Sequence, residues 1–422
     1  MLERLTPAAL IDSKRLLDSS LHDPQKGPMR FEARATVPGS STSHLYSGEI
    51  TIGEMIISCV LKIPTAEVAG DNFFKYVYGS PSGVDFALQA AHSDIAKPQM
   101  HSPEVAVVRV TRDGSKGYLL SLDGELDGEV GLLMLEVPTA QWLDQRVVQI
   151  LMDNSESWSQ ELTELITKAI KILTGLQRPA KASAAESNQP DQIAQWPITN
   201  GFERMVSLYE GLESLEKLMA DVTGDHLSTQ YLSQTDQQRA RILRDSFQRI
   251  VKNNAALLSE RASNGAVRDG HGDAKVQNFV ILVGDNALAP EIVAVDPLRF
   301  FDSQAGDCRP WHVRDKQWDT AFLSVTAALQ IAKAKGAESA YSFLQNLEMS
   351  NTTSSEQNVS EKVAFSVYAL YAFYVQSDTL LRISLSAINA GNYVQAQAYF
   401  SEVSLVLELG NIYAQSQVTA QT

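Results

Sequence analysis

Two periodicities divide the chain. Up to about residue 138, short runs rich in Val, Ile and Leu dominate: RFEARATV (30–37), EITIGEMIISCVLKI (49–63), VAVVRVTR (105–112), GYLLSLDG (117–124) and VGLLMLEV (130–137). Gly, Ser, Asp or Pro separates most of these runs, so each is predicted to be a strand. One helix is predicted among them, near residues 84–96. Beyond Pro138 the spacing becomes helical, with Leu143, Val147, Ile150 and Leu151, then Leu162, Leu165, Ile166, Ile170 and Leu173, recurring on one face. The Pro/Ala/Ser/Gln-rich stretch 178–197 reads as a mobile connection. Helical patterning resumes at 202–219 and 236–261. A hairpin island follows at 279–295, then helix to the end, with the tail from Ala414 expected to be flexible.

The layout is therefore a β-rich part over 1–138, a mainly helical part over 139–413 with a hairpin embedded in it, and a tail over 414–422. Two parts of unequal kind predict a ligand cleft between them. Composition narrows the picture only a little. The 422 residues leave room for one large domain or two ordinary ones, and 44% hydrophobic with 20% charged residues is the balance of a folded chain. A net charge of -15 argues against nucleic-acid binding, which needs clustered Lys and Arg. It leaves nucleotides open, since a few backbone amides, one Lys and a metal can hold their phosphates. Cys59 and Cys308 are too few for a disulfide framework or a four-thiolate zinc site. The opening MLERLTPAALIDSKR lacks an apolar core of the secretory type, and the longest uncharged run, 363–377, is too short and polar for a bilayer. A cytoplasmic protein with no membrane partner is expected; nothing in the sequence sets its oligomeric state.

The chemistry concentrates in VRDGHGDAKVQNFVILVGDNALAPEIVAVDPLRFFD, residues 267–302. Asp273 precedes a short loop, and Asn278 stands five positions beyond it. Phe279–Val283 and Ile292–Val295 are strand-like, with Gly284-Asp285-Asn286 as turn chemistry between them. A hairpin carries the chain out and back, so Asn278 and Asp296 are expected at one end of the paired strands with Asp273 nearby. Two carboxylates and an amide oxygen make a hard-oxygen site suited to Mg2+. Phosphoryl transfer uses that set: one carboxylate deprotonates the acceptor hydroxyl, and an Asn and a second carboxylate hold metal on the phosphates.

HGDAKVQN resembles the H-G-D-x-x-x-x-N catalytic loop of the aminoglycoside phosphotransferases and related small-molecule kinases with the protein-kinase fold. IVAVDP is similar to their metal-binding segment, and VRDGHGD with WDTAFL (318–323) resembles a bacterial branch of phosphotransferase-like proteins. The resemblance spans about 60 residues, 267–323. It implies an α+β, bilobal protein-kinase-like fold, with a β-rich N-lobe and a larger helical C-lobe. It implies Asp273 as catalytic base, Asn278 and Asp296 as metal ligands, Asp319 as a structural residue opening the next helix, and Lys275 as a contact to the transferred phosphate. ATP and Mg2+ follow as cofactors, with a hydroxyl-bearing acceptor, expected to be a small molecule, as partner.

The match has gaps. The Asn278–Asp296 interval of eighteen residues is longer than a compact hairpin needs, and neither G-x-G-x-x-G nor G-x-x-x-x-G-K-[ST] occurs. GSSTS (39–43) is the available phosphate cover. Lys62, after an apolar strand run, is the candidate ATP-side lysine, with Asp85 its nearest acidic candidate downstream. The backbone of Glu136 and Val137 is the candidate adenine contact. A silent kinase-like module that binds nucleotide or a protein partner without transfer is the alternative, and the missing Gly-rich loop favours it. Cys308 and His312 fit no metal spacing. Phe365, Tyr368, Tyr371, Phe373 and Tyr374 are expected to pack a core between helices.

Overall fold

Each strand-like run of the first 138 residues overlaps a strand, but the strands close on themselves. In the computed structural model the described residues are 5–23, 25, 27–37, 43–64, 103–122, 129–153, 155–179, 233–283, 291–295, 301–302, 309–310, 313–350, 357–389 and 391–419. The chain divides into two compact units, Met1–Arg146 with Gln277–His312, and Val147–Val276 with Val313–Thr422. The helices expected at 84–96 and 202–219, and all of 178–197 past Pro179, lie outside the described residues.

The first unit holds strands β1 (Met29–Val37), β2 (Ser43–Ile52), β3 (Met55–Pro64), β4 (Glu104–Asp113), β5 (Gly117–Ser121) and β6 (Glu129–Leu135). They form a closed barrel in the order β1-β2-β3-β6-β4-β5, every pairing antiparallel. Closure comes from β5 returning to β1, with Phe31 opposite Tyr118 and Met29 opposite Leu120. This corrects the expected protein-kinase-like fold. A six-stranded barrel without a free edge is not the β-sheet lobe of a kinase, although the strands-then-helices order is as expected. Strand periodicity is the same in an open sheet and a barrel, so it carries no information on closure.

The single run expected at 49–63 is in fact the end of one strand and most of another. Ile52 pairs with Met55 across the two-residue turn Gly53-Glu54, and Gly53 takes φ +61, the left-handed conformation such turns require. Along β3 the alternation is complete: Ile57, Cys59, Leu61 and Ile63 are buried inside, while Ile56 is 62% exposed. At the β1 irregularity between Ala33 and Ala35, Gly48 is sterically required, since a Cβ there would stand 2.3 Å from the Glu32 carbonyl oxygen and 2.5 Å from Phe31 Cζ. Helix α1 (Pro7–Leu21), which the pattern did not suggest, starts on a Thr6 cap with Pro at its N-terminus and adds Leu10 and Leu17 to the barrel's core.

The expected hairpin is present as β9 (Phe279–Leu282) paired antiparallel with β10 (Glu291–Ala294). Its Val280, Leu282, Val293 and Val295 join the same core. Gln141 fixes it from the side. Its buried amide donates to the Leu5 and Ile281 carbonyls at 3.0 Å each and accepts from the Leu5 N–H at 2.7 Å.

The second unit is mainly helical: α2 (Leu143–Met152, shared with the first unit), α3 (Trp158–Leu176), α4 (Gln234–Asn253), α5 (Ala255–Ser263), α6 (Gln317–Lys335), α7 (Ala337–Ser350), α8 (Gln357–Asn389) and α9 (Tyr393–Thr419). Buried Leu162, Ile166, Ile170 and Leu173 give α3 the predicted apolar stripe. α6 is buried almost all round, and the Phe365–Tyr374 aromatics of α8 are core residues as expected. A small sheet of β7 (Arg178–Pro179), β8 (Val267–Asp269) and β11 (Val313–Asp315) completes it. The tail expected to be flexible from Ala414 is instead helical to Thr419. Tyr413 and Ala414 are fully buried, and Ser366 Oγ donates to Gln417 at 3.0 Å, so packing holds a segment whose composition alone says little. Among the described residues no helix is long and apolar enough to cross a membrane.

Candidate functional site

The H-G-D loop leaves β8 and is bound, residue by residue, to α6. Asp319 stands in the first turn of that helix and is buried, 2% exposed. Its Oδ2 accepts from the His271 N–H and its Oδ1 from the Gly272 N–H, both at 2.8 Å. Trp318 Nε1 donates to the Gly272 carbonyl at 2.8 Å, and the Val276 N–H donates to Thr326 Oγ1 at 3.2 Å. Gly272 has φ +82, which lets the chain turn between these anchors. The expectation that Asp319 opens the helix as a structural residue is met. Trp318 and Thr326 were not foreseen, although the aromatic beside Asp319 in WDTAFL was the available signal.

The anchored backbone presents Asp273 at the surface of this unit, half-buried. Its N–H donates to His271 Nδ1 at 3.3 Å, which makes that nitrogen an acceptor. Its carboxylate is held by Lys275, whose Nζ lies 2.9 Å from Oδ1 and 3.1 Å from Oδ2. The two side chains are 20% and 29% exposed, so the pair is neither buried nor fully solvated. The same ammonium sits over the Phe322 ring, 5.8 Å from its centroid. That ring stacks on Trp318 at 4.8 Å and 17°.

A buried network fixes the start of α6 from below. Arg261 grips Asp315 with both prongs, Nε to Oδ2 and Nη2 to Oδ1 at 2.9 Å each, and reaches Glu361 at 3.1 Å. Burial would raise the Glu361 carboxyl, but hydrogen bonds from Arg261, Lys316 and Gln317 outweigh it and hold the group below the usual carboxylate range. Asp315 Oδ1 also accepts from the Gln317 N–H at 2.9 Å.

Asn278 belongs to the first unit, in a 3-10 turn leading into β9. Its carbonyl accepts from the Val295 N–H at 2.8 Å. The hairpin therefore sets the residue before Asp296 beside Asn278, and Asp296 itself lies outside the described residues. Lys62 alternates outward on β3, opposite Leu132 of β6 and away from the Leu61 and Ile63 side chains. The Glu136 N–H donates to the Ser58 carbonyl at 3.0 Å, and its carboxylate accepts from Ser47 Oγ at 2.8 Å. Val137 is buried, and its carbonyl accepts from Trp142 Nε1 at 3.4 Å. Asp85, Cys308, His312 and residues 39–42 of the suggested phosphate cover lie outside the described residues.

Carboxylate and amide oxygens are donors of the type Mg2+ takes, so the chemistry of Asn278 and Asp296 fits that ion. Among the described residues no three His, Cys, Asp or Glu side chains gather into a metal-holding group. No family model matches the sequence, and no curated protein matches it.

Proposed function

We propose that the protein is an ATP- and Mg2+-dependent phosphotransferase that moves a phosphoryl group to a hydroxyl of a small-molecule acceptor in the cytoplasm. The observation that carries this reading is the Asp273 carboxylate on a loop held by four hydrogen bonds to α6, with the Lys275 cation 2.9 Å away. A base works best when its backbone has nowhere to drift, and a cation beside it is suited to a phosphate oxygen. In this reading Asp273 takes the acceptor's proton and Lys275 contacts the transferred phosphate. Asn278 and Asp296 hold Mg2+, which neutralises charge on the phosphates. Lys62 and the Glu136–Val137 backbone are the proposed nucleotide contacts.

A second reading, a module that binds nucleotide or a protein partner without transfer, is favoured by the engagement of the proposed groups elsewhere. Lys275 covers both Asp273 oxygens, and the Glu136 N–H and Val137 carbonyl already bond within their own unit. A thermal-shift titration with ATP, with and without Mg2+, separates the two. Stabilisation that requires the metal supports transfer. Metal-independent stabilisation, or none, supports the silent module. Asp273→Asn should keep the fold and lower any measured transfer by about a hundredfold or more. Unchanged turnover in that variant removes Asp273 from the mechanism. Asp296→Ala should lose Mg-ATP affinity more completely than Asn278→Ala, because charge goes with the ligand. Equal calorimetric affinity in wild type and Asp296→Ala overturns the metal assignment.

A further inference from the structure

Lys275 is held from two sides, and only one of them is an acid. The Asp273 carboxylate neutralises the ammonium at 2.9 Å, while the Phe322 ring lies 5.8 Å below the same nitrogen. A cation within about 6 Å of an aromatic centroid is attracted by the ring's negative face. Phe322 is rigidly placed for this. It is 1% exposed, it sits one helical turn beyond Trp318 on α6, and it stacks on the Trp318 indole at 4.8 Å. Trp318 in turn holds the Gly272 carbonyl of the same loop at 2.8 Å. The aromatic pair thus grips both the loop backbone and the loop's cation.

We propose that Phe322 is a positioning residue that seats the Lys275 ammonium, and that this seat persists when an anionic phosphate group takes the place of Asp273 as the cation's partner. The proposal rests on the reading of Lys275 as a phosphate contact. The physical reason is directional. A four-carbon stem with three rotatable donors has no preferred geometry of its own, so a lysine in water samples many positions. The aromatic face limits that sampling without neutralising the charge, whereas the carboxylate neutralises it. Lys275 can therefore exchange Asp273 for a phosphate oxygen while remaining over the ring. The exchange takes the Lys275 ammonium off the Asp273 carboxylate at the moment the phosphate is seated.

Two measurements on the full chain test this. The first needs no ligand: the ε-methylene protons of Lys275 should show an upfield ring-current shift in the wild type, read by NMR with labelled lysine. The shift should persist in Asp273→Asn. Resonances at ordinary lysine positions in the wild type overturn the proposal, whether or not any variant folds. The second is calorimetry with inorganic tripolyphosphate. Phe322→Leu, close in volume, should weaken binding by about threefold, the scale of a partly solvated cation–π contact. The loss should recur when Lys275 is replaced by Arg and vanish when it is replaced by Met. A merely structural Phe322 would give the same loss in all three backgrounds, which overturns the proposal while leaving the phosphotransferase reading intact. Absence of tripolyphosphate binding in the wild type removes the phosphate contact on which the proposal stands, and overturns both.

Discussion

Replacing Asp319 by Ala should release the candidate loop from its helix. The carboxylate is 2% exposed and accepts from two buried amides, those of His271 and Gly272, each at 2.8 Å. Alanine leaves both N–H groups unpaired. A buried donor without a partner costs about 1–3 kcal/mol, so two amount to about 2–6 kcal/mol. Part of this is offset, because the buried charge of Asp319 and its own desolvation disappear together. A net loss of about 2–4 kcal/mol is expected. Two compact units need not unfold as one, so a single global transition is the weaker assay. Amide hydrogen exchange over residues 270–273 reads the loop directly, and that free-energy loss corresponds to exchange faster by about 30-fold or more. Exchange in peptides from α8 should change less. A loop whose protection is unaltered in Asp319→Ala, in a variant that remains folded, refutes the argument that these two bonds hold it.

Three further outcomes follow from the packing. Burial, with a weaker opposing pull from Lys362 Nζ at 3.9 Å, raises the Glu348 carboxyl, while Tyr413 and Gln417 hydrogen-bond to it from α9 and Tyr341 stands nearby on α7. A raised folded-state value means that stability is fully present below the ordinary carboxylate range and is lost as pH rises through the raised value. Glu348→Gln should therefore flatten the pH dependence of urea midpoints on that limb and be the more stable protein at pH 8; an unchanged slope counts against it. Arg261→Met leaves the buried Asp315 carboxylate without its cation and should destabilise by about 3–5 kcal/mol, with the acid-side loss of stability linked to the lowered Glu361 carboxyl reduced but not abolished, since Lys316 and Gln317 still bond it. Gly48→Ala places a Cβ 2.3 Å from a backbone oxygen and should lower barrel stability by about 3 kcal/mol, whereas Gly175→Ala, which meets nothing within 4 Å, should be neutral or slightly stabilising in the same denaturation series.

How much of this was legible in the sequence varies with the range of the interaction. Period-two runs located β1, β4, β5 and β6 within a few residues, and period-3.6 spacing located α2 and α3, because both patterns report one local surface. The barrel was not legible. Its closure depends on Met29–Glu32 meeting Gly117–Leu120, a pairing of strands far apart in the chain whose side chains alternate as they would in any sheet. The turn at Gly53-Glu54 was missed for the opposite reason: a two-residue break inside a continuous apolar run interrupts the hydrophobic signal too briefly to register. Helix α1 was missed although its signals, Thr6 as cap and Pro7 after it, stand in the sequence. At the other end, Ala414 and the residues after it looked polar enough to fray, yet Tyr413 and Ala414 anchor them through burial that composition does not reveal.

The candidate site divides along the same line. Asp273 and Asn278 were picked out because a spacing of five residues in a loop is a local fact, and two apolar runs separated by turn residues made a hairpin that returns beside Asn278 legible, as the Val295 N–H to Asn278 carbonyl bond shows. What the spacing could not supply is the rest of the loop's environment. Trp318, Phe322 and Thr326 lie 46 to 50 positions from the loop residues they meet, on a helix of this unit that is buried almost all round. In such a helix a functional aromatic and a packing aromatic have the same sequence signature, since both are simply buried. The distinguishing fact is what stands over the ring. A ring under Lys275, rather than under another apolar side chain, is a relationship that exists only in three dimensions, and it converts an ordinary core position into one that bears on where a cation sits. The same argument explains why a motif alone identifies a candidate base more readily than it identifies the groups that make the base usable.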